Sequence, residues 1–254
     1  MADLIVFSVG SNKYALDIEN IQRIIQATEL TNIPNAHPLI DGMLSHEDKV
    51  IKILNFRKLI NIQSYDEELH ALFGRLKDEH QEWMDALKHS VENNASFTKT
   101  IDPHKCELGI WLDSFNSYDD RVSAILKDLM SNHKMLHERG GDVLAIAKNN
   151  QDKAVNLFNT QVYDNFILTM GNIEIFIAEL DKVANSLQKL IIYENSEKVF
   201  AIKVDKIEDI VHVEDKDIID ANGDDNSSEF LTLGGILDLN HVLVNVIKSI
   251  KIPR

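Results

Sequence analysis

The 254-residue chain has a single cysteine, Cys106. No intramolecular disulfide is available to it, which fits a reducing compartment and limits what oxidation can lock in place. Cations are scarce too, with 26 Lys and Arg against 41 Asp and Glu and a formal net charge of −15. Phosphate backbones are held by a surplus of Lys and Arg, so this balance argues against non-specific nucleic-acid binding. Long apolar runs are missing as well. The first one, Leu4-Ile5-Val6-Phe7, is strand-sized, against the roughly 18 residues of a membrane-spanning helix. Neither a basic stretch before it nor a small-residue cleavage site after it suggests a secretory signal, so a cytoplasmic protein without membrane insertion is expected.

Hydrophobic content of 44% with 26% charge is ordinary for a globular chain, and the length allows two cores. The texture changes twice along it. Residues 1–63 carry short β-branched runs with turn punctuation, namely Leu4 to Val9, Tyr14 to Ile18, Ile21 to Gln26 and Val50 to Leu54, the pattern of a small barrel or sandwich. The same pattern returns from about 187 through Leu190–Tyr193, Val199–Val204, Ile207–Val213, Phe230–Leu239 and Val242–Ile247, with Asn222–Ser228 reading as an exposed loop. Between them the period turns helical. Leu69, Phe73, Leu76, His80, Trp83 and Leu87 share one face, and Val122, Leu126, Leu129, His133, Leu136 and His137 share another. Gly140-Gly141 reads as a break or bend, with a pattern that can resume through Val143, Leu144 and Ala147; Val155 to Leu180 reads as a further stripe, and Asp102-Pro103 as a helix start. Each β half is too small to bury much core alone. One β domain, 1–65 and 187–254, interrupted by a helical insertion at 66–186, is expected over three independent small domains.

His133 and His137 are four residues apart, so on a helix both imidazoles leave the same face. HxxxH alone is weak evidence, but these two and His80 sit in otherwise apolar stripes, where an unengaged imidazole costs free energy. Cys106 follows Pro103 at the start of a short helix, whose positive end favours a thiolate. Three histidines and one cysteine match the donor number and type of a tetrahedral zinc site. His37, His46, His70, His89, His212 and His241 have no partner at metal spacing. His104, two residues before Cys106, is the nearest competitor.

HxxW at His80 and Trp83, CxLGxWL from Cys106 to Leu112 and HxxxH at His133 and His137 together resemble the chemoreceptor zinc-binding (CZB) domain. That family comprises four-helix bundles with a three-histidine, one-cysteine zinc site, found on bacterial chemoreceptors and some diguanylate cyclases. The resemblance implies Zn2+ on His80, Cys106, His133 and His137, packed by Trp83, Gly109 and Trp111. Ala15–Ile18, Ile21–Gln26, Thr31–Pro34, Gly42-Met43-Leu44 and Val50–Phe56, with Val199–Asp205 and Leu233–Ile236 later on, resemble the chemotaxis coupling protein CheW. The fold so implied is α+β multidomain: a CheW-like pair of small five-stranded β-barrels split by an inserted four-helix zinc-binding bundle. Its implied partners are a chemoreceptor signalling domain and the histidine kinase CheA. The family usually has Arg-Gly where Glu47-Asp48 stands here, so a cationic contact has become anionic, unless the pair is simply a solvated hairpin turn.

Three functions compete on these residues. The first is a non-enzymatic signalling adaptor that senses zinc or an oxidant, Cys106 being the redox-sensitive ligand. The second is a passive scaffold with a structural zinc. The third, a metalloenzyme, is disfavoured, because four protein ligands leave no open position and HKMLH lacks the glutamate that zinc proteases carry after the first histidine.

Overall fold

The computed structural model describes residues 2–28, 30–117, 119–195, 198–220 and 228–253. Most of the expected loop at Asn222–Ser228 lies outside the described residues. The chain divides into two compact units, Met1–Tyr65 with Ala184–Arg254, and Asp66–Val183.

The first unit is built on two sheets to which both ends of the chain contribute. Strands β1 (Ala2–Val9) and β2 (Asn12–Asp17) form a hairpin, and they are followed by β3 (Ile21–Gln26), β4 (Ile40–His46) and β5 (Lys49–Asn55). After the helical unit come β6 (Lys189–Glu194), β7 (Val199–Val204), β8 (Lys206–Val213), β9 (Ile218–Asp220), β10 (Leu231–Leu239) and β11 (Val242–Ile250). One sheet runs β8-β1-β2-β11-β10-β9 and the other β3-β6-β7-β5-β4. Early and late strands therefore interleave, and the two parallel pairs, β2 with β11 and β5 with β7, each join one early strand to one late strand. The first sheet has six strands rather than the five expected, because the three-residue β9 is too short to leave a pattern in the sequence. Among the described residues, neither hydrogen-bond ladder closes on itself. In the second sheet the segment after β3 reaches β4 through one bridge, Thr31 with Met43.

Strands buried on both faces read as continuous apolar runs, which accounts for Leu4 to Phe7 and for Leu190 to Tyr193. Phe7, Tyr14 and Phe56 meet ring to ring at 4.8–5.8 Å in the main core. Beside this core lies a charge. Arg57, in the short helix α1 (Phe56–Leu59), is 2% exposed. It donates from Nε and Nη2 to Asp205 at 2.6–3.0 Å and from Nη1 to the Gln63 carbonyl at 2.8 Å, and it lies 4.6 Å from the Tyr65 ring centroid. Asp205 also accepts from Gly10 N (2.7 Å) and Gln188 Nε2 (3.1 Å). A buried ion pair is tolerated when its remaining hydrogen-bonding capacity is met in this way.

The second unit is helical: α2 (Tyr65–Asn93), α3 (Glu107–Ser114), α4 (Asp120–Ala147), α5 (Gln151–Leu157), a π-helical turn at Phe158–Val162, α6 (Tyr163–Ile177) and α7 (Leu180–Leu187), the last running past the unit boundary. Trp83, Leu87, Leu136, Val143, Phe158 and Phe166 form its core. Two local expectations are corrected. α4 runs unbroken through Gly140-Gly141, since a Cβ on Gly140 would lie 2.4 Å from the Trp83 ring; the glycine serves close helix packing instead of a break. Asp102-Pro103 does not start α3 either. Asp102 Oδ1 accepts from His104 N (3.0 Å) in a turn, and the helix begins four residues later with Cys106 as its N-cap.

Candidate metal centre

Periodicity alone places three of the four candidate donors. His80 lies on the buried face of α2, and His133 and His137, one turn apart, lie on that of α4. The fourth comes from the loop entering α3. Cys106 has extended backbone (φ −81°, ψ 157°), and its Sγ accepts from Gly109 N at 3.3 Å. Gly109 is required there, because a Cβ would fall 1.7 Å from the Pro103 carbonyl oxygen. One ligand atom from each of His80, Cys106, His133 and His137 lies within 4.8 Å of the others. Cys106 Sγ is 3.1 Å from His133 Nε2 and 4.0 Å from His80 Nε2.

Each histidine is prepared differently. His80 Nδ1 bonds the Leu76 carbonyl at 2.8 Å, so Nδ1 carries the proton and the Nε2 lone pair faces the group. His137 is fully buried, and neither ring nitrogen has a hydrogen-bond partner, although the nearby Thr100 and Ile101 carbonyls favour its proton. The Trp83 ring packs at 4.8 Å from it, held by Nε1 donating to the Thr100 carbonyl at 2.7 Å. Burial, reinforced by the neighbouring histidines, lowers His133 to about 2 and His137 to about 4, and burial also lowers His80. All three are neutral, the form that ligates a metal. Burial raises the Cys106 thiol against the lowering effect of the Gly109 and Leu108 amides. The helix end therefore does not make a free thiolate.

The other expected positions fall as follows. Trp111 packs with Phe73, Phe115 and Phe176 at 4.6–5.5 Å. His104 Nδ1 pairs with Asp113 at 2.8 Å on the surface. Glu47 and Asp48 are the two-residue turn between β4 and β5, at φ 50° and 62°, conformations that favour Asn or Gly. Glu47 lies 3.6 Å from Arg23 and 3.7 Å from His46. The sequence reading missed Arg57, whose burial leaves no periodic trace.

The CheW-like domain family matches residues 3–79, and the chemoreceptor zinc-binding domain family matches residues 80–144. The chain carries a CheW-like domain and a CZB domain. The boundary between the two matched segments falls inside α2, whereas the compact units part at Tyr65. Chemotaxis protein CheW of Thermotoga maritima is 24% identical over 77 residues, 30% of this chain and 51% of that protein, so the chain spans about half of that relative's length. Among solved structures, the scaffolding protein TtCheW from Thermoanaerobacter tengcongensis aligns with TM-score 0.44 and 12% identity, over 97% of this chain and 88% of that one. The regulatory CZB domain of DgcZ aligns with TM-score 0.38 and 16% identity, over 45% and 98%. At these scores neither alignment bears on function.

The donor chemistry fits zinc. Three imidazoles and one thiol match the number and kind of donors that a tetrahedral zinc site takes, and neither ring nitrogen of the buried His137 makes a regular hydrogen bond. Among the described residues, no helix is long and apolar enough to cross a membrane.

Proposed function

We propose that this chain is a cytoplasmic chemotaxis adaptor that reports zinc or an oxidant. In this reading the CheW-like unit, with its insertion at 66–186, docks on a chemoreceptor signalling domain or on the histidine kinase CheA, and the CZB unit holds one Zn2+ on His80, Cys106, His133 and His137. Catalysis is not part of its role, since four protein donors fill the coordination sphere. The observation that carries the reading is the cluster itself: one ligand atom from each of His80, Cys106, His133 and His137 lies within 4.8 Å of the others, all on buried or half-buried side chains. Buried polar atoms of this kind normally have a partner, and burying them without one costs free energy.

Bound zinc would supply a thiolate at Cys106 that ordinary pH does not provide. The protein's own part is to keep the imidazoles neutral, to fix the His80 tautomer through Leu76, and to hold Cys106 at the head of α3. Cys106 is the one donor of the four that is not fully buried, so an oxidant reaches it first. Oxidation to the sulfenic acid replaces the strongest ligand and weakens the site. With no second cysteine in the chain, recovery needs an external thiol. In this reading the anionic β4–β5 turn, Glu47 and Asp48, meets the docking partner and selects one with a cationic counterpart.

Metal content of the purified protein, before and after hypochlorous acid and in a Cys106→Ser variant, tests the reading. About one zinc per chain, lost on oxidation and weakened in the variant, is the expected result. Zinc retained through oxidation assigns the metal a structural role, and absence of zinc removes the proposal.

A further inference from the structure

Among the four donors, Cys106 is the one carried by a short element. His80, His133 and His137 belong to helices of 29 and 28 residues, whereas α3 has eight. Two side chains of α2 hold α3 in place. Phe73 packs edge-on to Trp111 at 4.8 Å. Arg75 Nη1 bonds Glu107, the residue after Cys106, and lies 3.3 Å from Glu79, the residue before His80. A single guanidinium thus joins the chain neighbours of two donors from different helices. Without it the carboxylates of Glu79 and Glu107 would face each other across the α2–α3 contact, and like charges so placed repel.

We infer that Arg75 is a positioning residue for Cys106, a latch whose ion pairs hold the cysteine against the three histidines and set how readily it departs from them. The inference rests on the zinc reading for its consequence, which is that opening the latch speeds both metal release and chemical attack on the thiol. It also implies a dependence on ionic strength. Arg75, Glu79 and Glu107 are all partly exposed, and salt screens exposed pairs strongly.

The test uses the full chain, zinc-loaded and metal-free. It measures the limiting rate of Cys106 alkylation by iodoacetamide at the high-pH plateau, where the share of thiolate no longer differs between variants, and transfer of zinc to a chromogenic chelator. At low salt Arg75→Ala is expected to raise both rates about threefold, as befits an exposed ion-pair network, with zinc stoichiometry unchanged. In about 1 M NaCl, where the Debye length falls to about 3 Å, the unmodified protein should approach the variant's rates while the variant barely responds. Arg75→Glu should be faster still, and Arg75→Glu combined with Glu107→Arg should return towards the original rate. Salt response and charge-swap rescue separate positioning from a general loss of structure. Equal alkylation rates for Arg75→Ala and the unmodified protein at low salt overturn the inference, as does a swap that rescues nothing. Should the unmodified protein take up no zinc, the four-donor reading fails, and alkylation of the metal-free protein still decides the role of Arg75.

Discussion

His137→Leu is expected to stabilise the metal-free protein and to destabilise it relative to the parent once zinc is added. The side chain is fully buried and neither ring nitrogen has a partner. A buried donor or acceptor left unsatisfied costs about 1–3 kcal/mol, and leucine removes both without leaving a large cavity. Against that gain stands the lost contact with Trp83 at 4.8 Å, worth about 0.5–1.5 kcal/mol for a ring pair. The two relieved atoms outweigh the lost ring contact by on the order of 1 kcal/mol or more, a rise of at least about 2–4 °C in the midpoint of helix melting. Zinc should reverse the order. Bound metal stabilises the parent in proportion to the logarithm of its saturation, and a site with three donors binds more weakly. Thermal unfolding followed by far-ultraviolet circular dichroism, with chelator and then with excess zinc, gives the four midpoints. A metal-free variant that melts below the metal-free parent would refute the reasoning, because the imidazole would then be satisfied within the fold.

Acid should weaken the metal-free protein early. His133 and His137 are held at about 2 and about 4 in the fold, below the ordinary value near 6.5, so the unfolded chain takes up protons first. Stability is complete above pH 6.5 and falls by about 1.4 kcal/mol per pH unit for each histidine, about 4 kcal/mol for the pair by pH 5; urea titrations at pH 7 and 5 measure the loss, and His137→Leu should halve it. Zinc uptake should release about one proton near pH 7, from the raised Cys106 thiol, and affinity should rise about tenfold per pH unit; calorimetry in buffers of different ionisation enthalpy reads the proton, which Cys106→Ser should abolish. In the β unit, Arg57→Ala leaves Asp205 without its counter-charge and should cost about 3–5 kcal/mol. Adding Asp205→Ala should cost less than the sum of the two single changes, as a double-mutant cycle in urea would show.

The helical part of this chain was more legible than the β part, for a physical reason. Donors four residues apart on one helix face, and a glycine three residues after a cysteine, are local patterns that sequence displays directly. The structure brings His80, Cys106, His133 and His137 together within 4.8 Å. Gly140 was misread because close packing against Trp83 and a helix break use the same residue. Strand order was invisible: the pairing of β2 with β11 and of β5 with β7 depends on contacts between the two ends of the chain. Arg57 and Asp205 look like surface residues in the sequence, since only the fold reveals that each is the other's partner.

The interleaved sheets also bear on how the protein is made. The first five strands leave the ribosome without β6, β7, β8 and β11, the late strands they must pair with. At typical synthesis rates the intervening helices take on the order of ten seconds to appear, and their contacts are mostly local, the kind that form fastest. The helical unit is thus free to fold on the nascent chain while the β strands wait. On the zinc reading, the four candidate donors, all within residues 80–137, would then be able to take up metal before the last strands of the β unit are made.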